Sequence, residues 1–304
     1  MLRSGSAVGP GGSAGPAGPS LPTGAVAPVA HRHVGVVVPA HDEADRLGRC
    51  LRSIAAAAEV ARQVCGVSVD VVVVLDDCSD GTASVAGAAG VRTVATAVGN
   101  VGAARALGTA AVLDRVAPGT PTWLVTTDAD TTVPRGWLVG HLRRAARGAD
   151  LVVGTVEVGG WSGWPSGLAA AFTADYGTAS DGDGHPHVHG ANLGISATAH
   201  RRIGGFAHLA VAEDHQLVLD AIAAGLRVDR TRSVPVRTSA RPDGRAAGGF
   251  SARLAELADP VRSPGPVDGD GDVDVDVDVE IDVDRDVDVY VDLDGDGDGA
   301  ACSR

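Results

Sequence analysis

Two aspartates one residue apart, Asp128 and Asp130, follow the apolar run Trp123-Leu-Val-Thr-Thr127. On extended chain, residues i and i+2 point to the same side, so Asp128-Ala-Asp130 presents two carboxylates together. Such hard oxygen ligands suit a divalent cation, Mn2+ or Mg2+, whose shell phosphate oxygens complete. A polar turn at a strand end uses the same residues, so the pair takes its meaning from its surroundings. Other acids also follow apolar runs. His41-Asp-Glu43 comes after Val34-Gly-Val-Val-Val-Pro39, and Asp76-Asp77 after Val69-Asp-Val-Val-Val-Val-Leu75. Further on stand three alternating histidines, His185, His187 and His189, and the pair Glu213-Asp214 at the start of a helical pattern. Alternating histidines on extended chain can share a metal with Asp130 or line a polar loop. A separate zinc site would lack nearby cysteine. Glu213 and Asp214 are first-turn acids of the kind a helix dipole favours, or they serve a reaction that needs a base beside a hydroxyl.

The elements that must position these groups alternate. The apolar run at 34–39 reads as a buried parallel strand. Leu47, Leu51 and Ile54 repeat at helical spacing over 45–63. A strand at 69–75 runs into Ser79 and Asp80, either of which can cap the next helix. A short strand at 91–95, a helix opening at Asn100 and a strand at 123–127 follow. Such alternation predicts an α/β domain with a mostly parallel, Rossmann-like sheet and helices on both faces. Ligands of such sheets bind beyond the carboxyl ends of the strands, where His41–Glu43, Asp76-Asp77 and Asp128–Asp130 would all lie. The second half is less regular. It reads as a helix at 137–147, a strand at 151–156, a loop at 161–165, a Gly/His-rich segment at 181–194, a helix at 213–224 and a strand at 227–232.

Composition narrows the classes. The chain has 304 residues, 44% of them apolar but only 3% aromatic, so its core must be built of Val, Leu, Ala and Ile. Every basic residue is Arg. Of the net charge of −13, nearly all sits in residues 261–304, where fifteen acids face three arginines. The rest is close to neutral and carries no basic stripe for nucleic acid. The four cysteines, Cys50, Cys65, Cys78 and Cys302, form no C-x-x-C pair, which fits a reducing cytoplasm. No apolar run reaches the roughly 18 residues of a membrane span, although peripheral membrane contact stays open. Residues 1–32, rich in Gly, Pro, Ala and Ser, are expected to be a disordered leader. Residues 259–304, an Asp-Val and Asp-Gly repeat, are expected to be a disordered tail, because neighbouring carboxylates repel. Within it, Asp292-Leu-Asp-Gly-Asp-Gly297 matches half of a calcium loop.

Four blocks in order resemble the glycosyltransferases of family 2. They are Val38-Pro-Ala-His-Asp-Glu43, Leu75-Asp-Asp-Cys-Ser-Asp-Gly-Thr82, Asn100-Val-Gly-Ala-Ala-Arg105 and Asp128-Ala-Asp130. The later runs His189-Gly-Ala-Asn-Leu-Gly-Ile195, Ile203-Gly-Gly-Phe206 and Glu213-Asp214 resemble the same family. The resemblance implies a GT-A fold in one domain over 33–258, with a nucleotide-binding half at 33–130 and an acceptor half at 131–258. It implies that Pro39, His41 and Glu43 line a base and ribose pocket and that Asp77 accepts a hydrogen bond from the base. Gly102 and Arg105 would lie near the base or diphosphate. Asp128 would contact ribose or metal-bound water, and Asp130 would ligate the metal, with His189 as a second ligand. Asp214, with Glu213, would form the catalytic pair. Position 41 is usually aromatic or small in the family, and His41 departs from that.

The implied activity is metal-dependent transfer of one sugar, with inversion, from a nucleoside-diphosphate sugar to an acceptor hydroxyl. The segment after Asp214 lacks the Gln-x-x-Arg-Trp run of processive synthases. A sugar-phosphate nucleotidyltransferase would need a key Lys, and the chain has none. The rival readings are a non-catalytic nucleotide-sugar-binding module and a metal-dependent hydrolase built on the histidines. Three secondary features stay open. Trp161 and Trp164 can stack on an acceptor or pack over the core. Asn192 can bond an acceptor or the backbone. The stretch Arg241-Pro-Asp-Gly-Arg245 can close on phosphates or stay solvated.

Overall fold

The computed structural model describes residues 31–177, 184–242 and 250–258. Nearly all of the expected leader, the acidic tail with its calcium-like loop, and Arg245 lie outside the described residues. In chain order the elements are β1 (His33–Ala40), α1 (Ala44–Cys65), β2 (Ser68–Asp76), α2 (Thr82–Ala88), β3 (Arg92–Thr96), α3 (Val101–Leu113), β4 (Thr122–Thr126), α4 (Trp137–Ala146), β5 (Leu151–Gly159), α5 (Leu168–Gly177), β6 (Leu193–Ser196), α6 (Ala197–Arg202), α7 (Glu213–Ala223), β7 (Val228–Ser239) and α8 (Phe250–Ala258). A single 3-10 turn at Gly190–Asn192 leads into β6.

The strands form one sheet in the order β3-β2-β1-β4-β6-β5-β7. The β-branched runs pair in parallel from β3 through β4, as residues buried on both faces should. Successive side chains of β1 enter opposite layers. Val34, Val36 and Val38 join Leu47, Leu51 and Ile54 of α1 and Leu138 and Leu142 of α4. Val37 joins Ala104 and Val112 of α3 and Leu217 and Val218 of α7. Helices thus cover both faces, as the alternation predicts. β6 breaks the parallel run, since it is antiparallel to β4 and β5, while β7 is parallel to β5.

The first half agrees with the sequence within a residue or two at each end. One cap differs: Gly81 is the N-cap of α2, and Asp80 reaches the first turn from one residue earlier. The second half holds more structure than its pattern suggested. β5 runs on to Gly159, β7 runs on to Ser239, and α5, β6, α6 and α8 appear where none was expected. The pattern of β6 is hidden by its shortness and by Gly194. A Cβ there would fall 2.4 Å from His141 Nδ1 and 2.7 Å from Trp123 Nε1, so tertiary packing dictates that glycine. α5 opens Leu168-Ala-Ala-Ala-Phe172 without a polar face to mark a helical period.

Close approach of α3 to the sheet depends on glycine. A Cβ on Gly108 would meet Val37 Cγ1 at 2.4 Å and Val74 Cγ2 at 2.8 Å, both on strands that cannot retreat. Gly108→Ala should therefore destabilise the protein by about 1–2 kcal/mol, the overpacking cost outweighing the ~1 kcal/mol gain in helix propensity. Urea unfolding checks this. The midpoint should fall with an unchanged m-value, and a raised midpoint would contradict the packing.

Candidate active site

The carboxyl ends of β1, β2 and β4 make one edge, and the loops leaving it are laced together. Asp42 sits in the left-handed region at φ 51°, a conformation Asp tolerates. Its carboxylate accepts from the N–H groups of Ser79 (2.7 Å) and Asp80 (3.1 Å). Thr82 Oγ1 accepts from the Glu43 N–H at 2.7 Å. The Asp80 carboxylate accepts from the N–H groups of Thr82 (2.8 Å) and Ala44 (3.1 Å). Buried Asp76 gathers the N–H groups of Val98, Gly99 and Asn100 at 2.8–3.1 Å, which folds the loop before α3 onto the strand end. Asp77 is exposed and also left-handed at φ 51°, with its N–H bonded to Thr96 O. His41 is exposed and donates from Nδ1 to Asp76 O at 2.7 Å, while Pro39 is half-buried within β1.

Around the end of β4 the acids meet two arginines. Arg105 is buried, and its guanidinium bridges Asp128 Oδ1 at 2.6 Å and the carboxylate of Glu213. Gly190 lets it lie there, since a Cβ would fall 2.4 Å from Arg105 Cζ. Arg241, just past β7, pairs with Glu43 Oε1 at 2.5 Å and stands 3.6 Å from Asp130 Oδ2. Asp130 also accepts from the hydroxyls of Thr238 (3.3 Å) and Thr131 (3.4 Å). Burial, with Asp128 and Glu43 nearby, pushes its carboxyl up to about 6. The Cys50 thiol donates to Asp128 O at 3.4 Å, and burial raises its pKa, so it is an inert packing group.

Gly102, in contrast, faces protein. A Cβ there would fall 2.1 Å from Ala207 O and 2.8 Å from Leu209 O, so the 207–209 loop covers it. Asn100 caps α3, with its side chain accepting from the Ala103 N–H.

At α7 the backbone is strained. Ala212 has φ 62°, a left-handed conformation uncommon for alanine, and it delivers Glu213 and Asp214 to the site. Asp214 accepts from the Gly190 N–H at 2.6 Å, the His215 N–H at 2.8 Å and His215 Nδ1 at 3.1 Å. Burial alone would raise its carboxyl. The bonds and charge from His215, with Arg105, hold it well below the usual carboxylate range.

The histidine series is engaged by protein. His185 Nε2 donates to Val153 O at 3.0 Å and His187 Nε2 to Tyr176 O at 3.0 Å. His189 Nε2 lies 3.0 Å from Tyr176 Oη and, kept neutral by burial, accepts a hydrogen bond from that hydroxyl. Tyr176 stacks on His187 with centroids 3.8 Å apart. Among the described residues no group of three or more His, Cys, Asp or Glu side chains is arranged to hold a metal ion. The donor set at β4 nevertheless fits a hard cation completed by phosphates. Asp128 and Asp130 supply carboxylate oxygens, and buried Glu43 Oε2 accepts no hydrogen bond from the described residues.

Residues 35–204, more than half of the chain, match the family model described as glycosyl transferase family 2. The chain belongs to glycosyl transferase family 2. Similar solved structures include the mannosyltransferase PcManGT from Pyrobaculum calidifontis, in complex with GDP-Man and Mn2+. It aligns at TM-score 0.51 and 20% identity, over 71% of this chain and 59% of that one. The S. aureus TarS fragment 1–349 in complex with UDP aligns at TM-score 0.51 and 14% identity, over 74% of this chain and 69% of that one. Identities this low show the shared GT-A fold alone, and this chain spans less than two thirds of the mannosyltransferase's length. No curated protein matches. Among the described residues no helix is long and apolar enough to cross a membrane.

Within this family 2 domain, three secondary features of the sequence have structural roles. Asn192 is fully buried, accepts from Trp137 Nε1 (2.9 Å) and His141 Nε2 (3.3 Å), and donates to Thr155 O (2.8 Å) and Val234 O (2.7 Å). It is a structural hub. Gly204 and Gly205 make a left-handed turn at φ 84° and 81°. Trp161 and Trp164 pack against the cluster of Phe172, Ala240 and Leu254, and Trp164 Nε1 donates to Ala240 O. The residues that sequence reasoning missed are His215, Tyr176 and Thr238, whose partners are set by chain crossings rather than by spacing. Arg241 carried a signal, as a cation in the Gly-rich stretch, but with β7 ended early its position could not be derived.

Asn192→Ala should cost about 2–5 kcal/mol, because it leaves two buried donors and two carbonyls without partners. Chemical denaturation measures the loss. An unchanged midpoint would mean that Asn192 is free for another role.

Proposed function

We propose that this chain transfers a single sugar, with inversion, from a nucleoside-diphosphate sugar to an acceptor hydroxyl. The observation that carries the proposal is the Arg105 bridge, which joins Asp128 of the Asp-Ala-Asp run to α7, where Asp214 stands ionised. A donor held at the first and an acceptor held at the second would meet at one sheet edge. The fold likeness to a mannosyltransferase in complex with GDP-Man and Mn2+, and to TarS in complex with UDP, supports the donor class.

On this reading, exposed Asp77 and His41, with Pro39 and Glu43, border the nucleoside. Asp128 and Asp130 are the residues that would hold a divalent cation. Such a cation, when bound, supplies charge stabilisation to the departing diphosphate. Asp214 receives the acceptor's proton at the carboxylate, kept ionised by Gly190 and His215. A carboxylate held so acidic is a weak base, so it takes the proton late, once bonding to the anomeric carbon has made the hydroxyl acidic. Glu213 neutralises Arg105 and positions its neighbour. The engagement of all three histidines by protein groups speaks against the hydrolase alternative.

Two measurements test this. UDP, GDP, TDP and CDP, each with and without Mn2+ or Mg2+, are screened by thermal shift. The matching nucleotide at ~100 times its Kd should stabilise the protein by about 2.7 kcal/mol, and Asp130→Ala should abolish the metal-dependent part. Asp214→Asn should keep the nucleotide shift but lose roughly 10²–10⁴-fold in transfer rate. Undiminished transfer by that variant would remove Asp214 as the base, and absence of any nucleotide shift would sink the transferase reading.

A further inference from the structure

The proposed reaction leaves Arg241, at the same sheet edge, without a task. Its guanidinium stands between Glu43 on the β1 side and Asp130 on the β4 side. All three side chains are largely buried, at 14%, 5% and 12% exposure. The backbone around it is anchored. The Ala240 N–H bonds Gly159 O, Ala240 O accepts from Trp164 Nε1, and Thr132 bridges Arg237. Pro242 follows, which restricts Arg241 to extended backbone. The guanidinium is therefore set in place by β7.

We infer that Arg241 occupies, with its guanidinium, the place of the divalent cation on Asp130 while the donor is absent, so that metal and nucleotide enter together. Three carboxylates, Glu43, Asp128 and Asp130, gather at this edge. Arg105 is already engaged by Asp128 and Glu213, so Arg241 is the cation that stands between the other two, while Arg46 reaches only Glu43, at 4.0 Å. A bare metal ion approaching Asp130 meets this positive charge at a short distance and must displace it, which would disturb the largely buried pairing of Arg241 with Glu43 and Asp130. With two carboxylates at most, the protein cannot complete the ion's shell. A nucleoside diphosphate changes both terms, because its oxygens complete the shell and its negative charge offsets the second cation. Metal and arginine thus compete for one carboxylate, and the competition makes binding ordered. The inference rests on the transferase reading.

The test is Mn2+ binding to the full chain, read by the electron paramagnetic resonance signal of free Mn2+, without nucleotide and with saturating UDP or GDP. Without nucleotide, Arg241→Gln should bind Mn2+ about tenfold more tightly than wild type, within the usual range for coupled sites. Saturating nucleotide should narrow that gap, and Asp130→Ala in the Arg241→Gln background should abolish the gain. Arg241→Lys keeps the charge and should bind bare Mn2+ as weakly as wild type, which preserves the test should the glutamine variant fold poorly. Equal Mn2+ affinity of wild type and Arg241→Gln, or the same tightening in Arg241→Lys, would overturn the inference. A protein that binds nucleotide but shows either result fails this inference alone, whereas one that binds no nucleoside diphosphate fails the transferase reading first.

Discussion

The guanidinium of Arg105, buried between Asp128 and Glu213, ties together parts of the chain more than a hundred residues apart. Burying Arg105 and Glu213 is costly unless the geometry is good, and removing one partner would strand the other's charge. That asymmetry makes the bridge a constraint on everything around it. α3 must bring Arg105 to the edge, which places its first turn under the 207–209 loop and leaves room only for glycine at 102. The turn before β6 must pass over the guanidinium, which leaves room only for glycine at 190. α7 must begin where Glu213 can reach, and Ala212 adopts a left-handed conformation to allow it.

The direction of β6 explains why residues from both halves share one site. Parallel strands put their carboxyl ends on one edge of the sheet. An antiparallel neighbour puts its amino end there instead, and Thr126 of β4 pairs with Leu193 at the start of β6. Gly190 therefore arrives at the end of β4, where its carbonyl accepts from Thr126 Oγ1 and its backbone lies against Arg105, and β7, parallel to β5, delivers Arg241 to the same edge. Asn192 secures the turn by spending all four of its hydrogen-bonding positions on α4, β5 and β7. Strain and buried polar groups at this edge are stabilised by a core of ordinary aliphatic packing on both faces of the sheet.

Two carboxylates at the edge have opposed tendencies. Asp130 is pushed toward protonation by burial and neighbouring acids, whereas Asp214 is held ionised by His215, Arg105 and a backbone N–H. A carboxylate crowded by like charge is ready for a cation, and one saturated with donors keeps its charge without one. On the proposed reading, these opposite environments would suit two separate tasks, holding a diphosphate and accepting a proton.

The amino-acid sequence by itself determined the parallel half of the sheet, because Val-rich runs buried on both faces leave a clear signal and each is followed by acids or a cap. It also marked Asp128, Asp130, Glu213 and Asp214, since carboxylates after a strand or at a helix start stand out against an aliphatic chain. Only the tertiary structure decided which of those carboxylates are paired. Glu213 and Asp214 are neighbours in sequence, yet one is taken by Arg105 and the other by Gly190 and His215. His185, His187 and His189 look alike in spacing, yet each ring meets a different partner atom, Val153 O, Tyr176 O and Tyr176 Oη. The physical reason is that periodicity records which face of an element is buried, whereas the partner of a buried charge depends on where a distant strand ends and on its direction in the sheet.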